Sequence, residues 1–179
     1  MKKYYENGQI HLEGTLLNDK KEGKWIEYSE SGKILGEVMY KNGQLEGEFT
    51  CYHDNGEIYS KGIHKNGGID GELIIYYEEG SIKEKQVYEN GQKKEIHHYT
   101  EWGLCIGHVK YYNNGNKKYE ISNDSGLDFV DSTEFNEWNE TVELNQMNNG
   151  HEKKYNNDNG QLSYIKIFEN GIVVHEENF

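Results

Sequence analysis

The chain has 179 residues, a size that fits one domain or one array of repeats, and it carries 32 acids against 19 basic residues for a net charge of −13. Every basic residue is a lysine, so the bidentate guanidinium–phosphate fork is missing, and the acidity repels nucleic acid and anionic membrane while attracting a basic partner. Hydrophobic content is 34 %, which with this charge would suit a disordered chain, but 15 Tyr, three Trp and a strict period point to a thin sheet in which each repeat touches only its neighbours.

The pattern starts at once. Tyr4, Gly8 and Ile10 return 24 residues later as Tyr28, Gly32 and Ile34. Two full copies follow, GKWIEYSESGKILGEVMYKNGQLEG and GEFTCYHDNGEIYSKGIHKNGGIDG, in which Gly23, Gly47 and Gly71 keep the 24-residue step. Trp25, Phe49 and Leu73 keep it too, as do Tyr28, Tyr52 and Tyr76. Self-similarity of this kind marks a repeat architecture. Turn glycines at Gly32, Gly43, Gly56, Gly67, Gly80 and Gly91 alternate at 11 and 13 residues, and most follow an asparagine. Asn-Gly suits the tight I′ hairpin turn because both residues tolerate positive φ. The runs between turns have strand length and are rich in Tyr, Ile, Val and Lys, whereas a helix would need a longer three-and-four apolar spacing. The predicted fold is all-β, an elongated antiparallel β-hairpin meander of 24-residue repeats with two strands each.

The expected organisation is a single array over 1–179, with regular repeats over 1–91 and irregular ones over 92–126. Around Trp102-Gly103 the rhythm changes, which calls for a bulge or a change of sheet direction. An acidic, divergent segment covers 127–149, and terminal hairpins close the chain over 150–179. Eight acids and no lysine lie in 119–150. That segment either continues the ladder, with Trp138-Asn139 as a glycine-free turn, or forms a short helix or irregular insert near 130–146. Asp131 and Glu134 resemble a capping box for the helix, and Phe135, Trp138 and Val142 would share its face.

The phrases YYENGQIHLEG, GKWIEYSESGKI and YKNGQLEGEF resemble the MORN repeat (membrane occupation and recognition nexus), and more closely its bacterial variant with the Y-x-N-G-x-x-x-G beat. Tyr40, Asn42, Gly43 and Gly47 carry that beat, and Gly23, Trp25 and Tyr28 carry the opening half. The resemblance is strong over 1–91, looser over 92–126 and weak over 127–149. It implies an antiparallel hairpin array that is not catalytic. It also implies a bacterial antitoxin or immunity-like role, or else a cell-envelope or surface-associated one, with lipid-binding scaffolds among the eukaryotic relatives.

Residue by residue, the sequence offers no chemistry. His97 and His98 stand near Cys105-x-x-His108, but strand neighbours point to opposite faces, which argues against one ion held by both. The turns NNDNG and NDSG lack the ligand spacing of a calcium loop. No nucleophile elbow, phosphate loop or dinucleotide fingerprint is present. Cys51 and Cys105 do not make a disulfide framework. No catalytic, cofactor-binding or metal residue is therefore expected, and no cofactor. The expected partner is a protein, a basic toxin being the example that charge favours, and not nucleic acid or membrane. Candidate contact residues are the aromatic column Tyr4, Tyr28, Tyr52, Tyr76 and Tyr111 with Trp25 and Phe49 beside it. The acidic segment adds Asp128, Asp131, Glu134, Glu137 and Trp138. The start MKKYYENGQI has no apolar stretch, so the expected compartment is the cytoplasm, with the envelope or secretion as the alternative if a leader has been removed.

Overall fold

A computed structural model describes residues 1–123, 149–169 and 172–179. The all-β expectation holds: the described residues form 15 strands that follow one another as antiparallel hairpins, and none of them is helical. They divide into two compact units, Met1–Gln92 and Lys93–Phe179.

The first unit contains β1 (Lys2–Tyr4), β2 (Ile10–Leu17), β3 (Lys20–Tyr28), β4 (Ile34–Lys41), β5 (Gln44–Tyr52), β6 (Ile58–Lys65), the short β7 (Gly68–Ile69), β8 (Gly71–Tyr76) and β9 (Ile82–Glu89). One line of directly opposed residues crosses it: Gly14 faces Trp25, Trp25 faces Val38, Val38 faces Phe49, and Phe49 faces Gly62. The large rings lie over the glycines. A Cβ built on Gly14 would overlap the Trp25 ring, and one on Gly62 would stand 2.9 Å from Phe49 Cε1. Trp25 is only 1 % exposed, and Leu73 at 9 % continues the same face two strands beyond Phe49. Tyr40 meets Trp25 edge-on at 6.1 Å, and Lys21 Nζ covers both rings at 4.5 and 4.4 Å. A thin sheet thus gains its dry interior from rings laid flat on backbone, with a cation as roof.

The asparagine–glycine corners are of two kinds. Asn42, Asn66 and Asn90 have φ near +53, +53 and +52 and are followed by left-handed Gly43, Gly67 and Gly91. Both central residues are left-handed, as the I′ turn requires. Asn18-Asp19 does the same without glycine, at φ 51 and 59. At Gly8, Gly32, Gly56 and Gly80 only the glycine is left-handed. There the loop is longer: the Tyr5 N–H donates to Gln9 O and the Gly8 N–H to Tyr5 O, and the same pair of bonds recurs at Ser29, His53 and Tyr77. The sequence reading treats these corners alike. The structure separates them by backbone conformation and by where the register shifts: beside the second kind at Tyr4, Tyr28, Tyr52 and Tyr76, and farther from the first kind, at Gly14/Thr15 and Val38/Tyr40.

Successive repeats are tied at both sets of corners. On one side the side chains of Glu22, Glu46 and Asp70, spaced 24 apart, accept the backbone N–H of Asn42, Asn66 and Asn90 at 2.7, 2.9 and 3.0 Å. On the other, the Asn7 and Asn55 carboxamides donate to Glu30 O and Glu78 O, each at 2.9 Å. The Tyr5 hydroxyl donates to Tyr28 O at 2.6 Å, and His53 Nε2 contacts Tyr76 O at 3.1 Å from the equivalent position.

The second unit holds β10 (Gln92–Tyr99), β11 (Cys105–Tyr111), β12 (Lys117–Asn123), β13 (Gly150–Tyr155), β14 (Leu162–Glu169) and β15 (Ile172–Asn178). Ile96 pairs with Val109 and His108 with Ile121; all four are 8 % exposed or less, although 108 and 109 point to opposite faces. Both faces of this unit therefore carry buried residues. A register shift lies between His98 and Tyr99, and it repeats the bulge of the longer corners. The alternatives for 127–149 lie outside the described residues. Their flanks are described: Asn123 pairs with Gly150, so β12 and β13 are direct neighbours.

Gly14→Ala should lower stability by roughly 1–3 kcal/mol, because a methyl group must displace a fully packed indole. Urea unfolding followed by tryptophan fluorescence checks this. Gly36→Ala, whose Cβ would sit 3.3 Å from Thr50 O and 3.6 Å from Cys51 Sγ, should cost clearly less.

Candidate functional site

Strand alternation decides what the first unit shows to solvent. Trp25 and Tyr28 are three residues apart and so take opposite faces, as do Phe49 and Tyr52, and Leu73 and Tyr76. The aromatic residues that the sequence groups together thus separate. Trp25 packs the sheet instead of presenting area. Phe49 is half-buried against His64, with ring centroids 4.4 Å apart, on the same face. Tyr28, Tyr52 and Tyr76 form a row on the other face, each paired across its bulge with Ile34, Ile58 or Ile82. Tyr4 pairs with Ile10 in the same way and is 59 % exposed. Ile34 and Ile58 are 38 % and 36 % exposed, while Tyr28, Tyr52, Tyr76, Ile10 and Ile82 are half-buried, so the row is a partly accessible Tyr–Ile band running across four repeats.

Charge braces this band. The Tyr28 hydroxyl donates to Glu13 Oε1 at 2.7 Å, and Glu13 is also bound by Lys2 at 2.8 Å. Those bonds hold the Glu13 carboxyl below its ordinary value and push the Tyr28 phenol up. One repeat on, Lys24 binds Glu37 at 2.7 Å, and the Tyr52 phenol is raised by burial and then by Glu37. In the next repeat Lys61 replaces the glutamate and lies 5.5 Å over the Tyr76 ring. The second unit uses the device once more: Tyr155 donates to Glu120 at 3.0 Å, and burial followed by Glu120 pushes its phenol up to about 12. Tyr111 stands half-buried on β11 of that unit, opposite Lys117. Asp128, Asp131, Glu134, Glu137 and Trp138 lie outside the described residues.

A second feature was not legible as a group in the sequence. The β10–β11 register sets His97 opposite His108, with rings stacked at 4.1 Å and 15°. Glu95, two residues before His97 on the same face, places Oε2 3.4 Å from His97 Nε2 and 3.5 Å from His108 Nε2. Its Oε1 meets Lys110 Nζ at 3.2 Å. The Tyr119 hydroxyl lies 3.3 Å from His108 Nδ1. His108 is 5 % exposed. Burial pushes its imidazole down, while Cys105 and then Glu95 push His97 up to about 9. The His108 and His97 bonds, with Lys110 behind them, hold Glu95 well below the usual carboxylate range. Burial, then Glu95 and Glu152, raises the Tyr119 phenol. The adjacent pair His97-His98 draws the eye in the sequence, yet the partner of His97 is eleven residues on, across a corner.

Four consecutive stretches, residues 1–18, 21–42, 45–66 and 69–90, match the MORN repeat variant family. No curated protein matches the chain. Tandem repeats of this kind constitute a module for binding or interaction and are generally non-enzymatic.

The histidine pair makes a pH prediction for chelator-treated protein. His97 has a folded pKa above its ordinary 6.5, so its contribution to stability is complete below pH 6.5 and is lost as pH rises through about 9. His108 is shifted the other way and weakens the fold as pH falls below 6.5. Thermal unfolding of the wild type should therefore weaken between pH 6.5 and 9, and His97→Gln should flatten that slope. Histidine NMR titration should show the His97 ring titrating above and the His108 ring below the ordinary value.

Proposed function

From a chain whose first unit carries four MORN repeat variants in tandem, we propose a non-catalytic protein-binding module that presents the Tyr–Ile band of residues 4–82 to a basic protein partner. The observation that carries this reading is the band itself. Four repeats hold a tyrosine beside an isoleucine on one partly exposed face, with carboxylates and lysines beside them on that face. Tyrosine suits such a role: it offers large, stiff contact area with a polar tip, and it leads binding hot spots. The net charge of −13 supplies the second half of the reading, since long-range attraction raises the rate at which a basic protein is captured.

The finer assignment is an antitoxin or immunity-like protein of the bacterial cytoplasm that masks a basic toxin. Toxins that attack nucleic acids tend to be basic, so an acidic binder with no arginine meets them with complementary charge and little competing affinity for their substrate. The acidic segment, with Asp128, Asp131, Glu134 and Glu137, would do the steering, and the tyrosine row would do the holding.

Affinity capture from the native cell, followed by kinetics with the purified partner, tests both parts. Replacing Tyr28 and Tyr52 together with alanine should weaken the complex about tenfold or more, mainly through faster dissociation. Replacing Asp128, Asp131, Glu134 and Glu137 with their amides should slow association, more at low salt than at high. Unchanged affinity in the tyrosine variant, or capture of an acidic partner, would overturn the reading.

A further inference from the structure

We propose that Glu95, His97 and His108 form a binding site for one divalent transition-metal ion of the zinc type, held between β10 and β11. The three donors reach one point because of the register. Glu95 and His97 are two apart on β10 and share a face, and His108 is the direct cross-strand partner of His97. Their ligating atoms all lie within 4.8 Å of one another. The two separations that involve the carboxylate fit the ion. Glu95 Oε2 stands 3.4 and 3.5 Å from the two Nε2 atoms. Ligands placed at about 2.0–2.1 Å from a tetrahedral zinc are about 3.3 Å apart. Closure onto a metal also needs the two imidazoles, stacked at 4.1 Å and 15°, to tilt until both Nε2 atoms face one point.

The surroundings fit as well. Two imidazoles and a carboxylate are the donor set of zinc and its neighbours, and they leave a fourth position for water. Calcium and magnesium want six or more oxygens, which this face does not offer. Lys110 takes Oε1 at 3.2 Å, so it meets the carboxylate oxygen turned away from the histidines and fixes the orientation of the other. Tyr119 holds the far nitrogen of His108 at 3.3 Å, the outer contact that sets ring angle and tautomer in metal-binding histidines. The buried position of His108 keeps competing water from one side of the site. The metal would clamp the two strands that flank the corner at Trp102-Gly103.

Zinc titration by calorimetry on chelator-treated, reduced full-length protein tests the site, with thermal unfolding and circular dichroism in parallel. The expected result is saturable binding of one ion per chain and a raised unfolding midpoint, with no competition from magnesium or calcium. His97→Gln and Glu95→Gln, checked for a wild-type strand spectrum, should weaken binding at least tenfold. His98→Gln, on the opposite face, should leave it unchanged. Should His108→Gln fail to fold, the His97 variant decides alone, because its side chain is 25 % exposed and tolerates replacement. Absence of saturable binding, wild-type affinity in the His97 and Glu95 variants, or displacement by magnesium would each overturn the proposal; the last two would mean an ion held loosely by surface acids.

Discussion

Everything in the first unit depends on how closely a flat ring can approach a bare backbone. Trp25 lies over Gly14 on the preceding strand, and Phe49, one repeat later, lies over Gly62 on the following one. A single-layer sheet has no second layer to pack against. It excludes water by laying an aromatic side chain along the neighbouring strand, and that is possible only where the neighbour has no Cβ. Val38, between Trp25 and Phe49 on the same line, fills the step that a third ring would overcrowd. Removing such a ring would cost about 3–5 kcal/mol, a large share of what a thin repeat array has in reserve.

The acidity takes on a different meaning once the corners are seen. Composition suggests a charged coat that keeps a sheet soluble or attracts a partner. Part of it is structural: Glu22, Glu46 and Asp70 accept backbone N–H groups from the next corner, and Glu13 and Glu120 accept tyrosine hydroxyls. Charge-assisted bonds of this sort are stronger than neutral ones and satisfy turn donors that would otherwise rely on water. These carboxylates keep their charge while serving as acceptors, so part of the negative charge is fixed in place at the corners.

How much of this the sequence discloses follows from the range of each interaction. The period, the corners and the alternation of strands are local, so Gly23, Gly47 and Gly71 announce them. The distribution of aromatics over two faces is local as well, since Trp25 and Tyr28 stand three residues apart on one strand. A three-residue step from Trp25 to Tyr28 looks like one column until the faces are assigned. The meeting of His97 with His108 is less accessible still. It requires the register across Thr100–Leu104, where the Thr100 N–H donates to Leu104 O at 2.8 Å and so fixes which residues oppose one another. Adjacent histidines attract attention in a string of letters, whereas a ladder brings together residues at a distance set by its corners.

The lateral bonds of the first unit recur with two fixed displacements: 23 residues for Asn7 to Glu30 and Asn55 to Glu78, and 20 residues for Glu22 to Asn42 and Glu46 to Asn66. A ladder of this kind has no privileged length. Tandem duplication or deletion of a whole 24-residue module leaves every rung with a partner of the same type, while a change of half a module would confront the two kinds of corner with each other. The gene can therefore lengthen or shorten its product in quanta, and the area offered to the outside grows in the same quanta without any new core having to be invented.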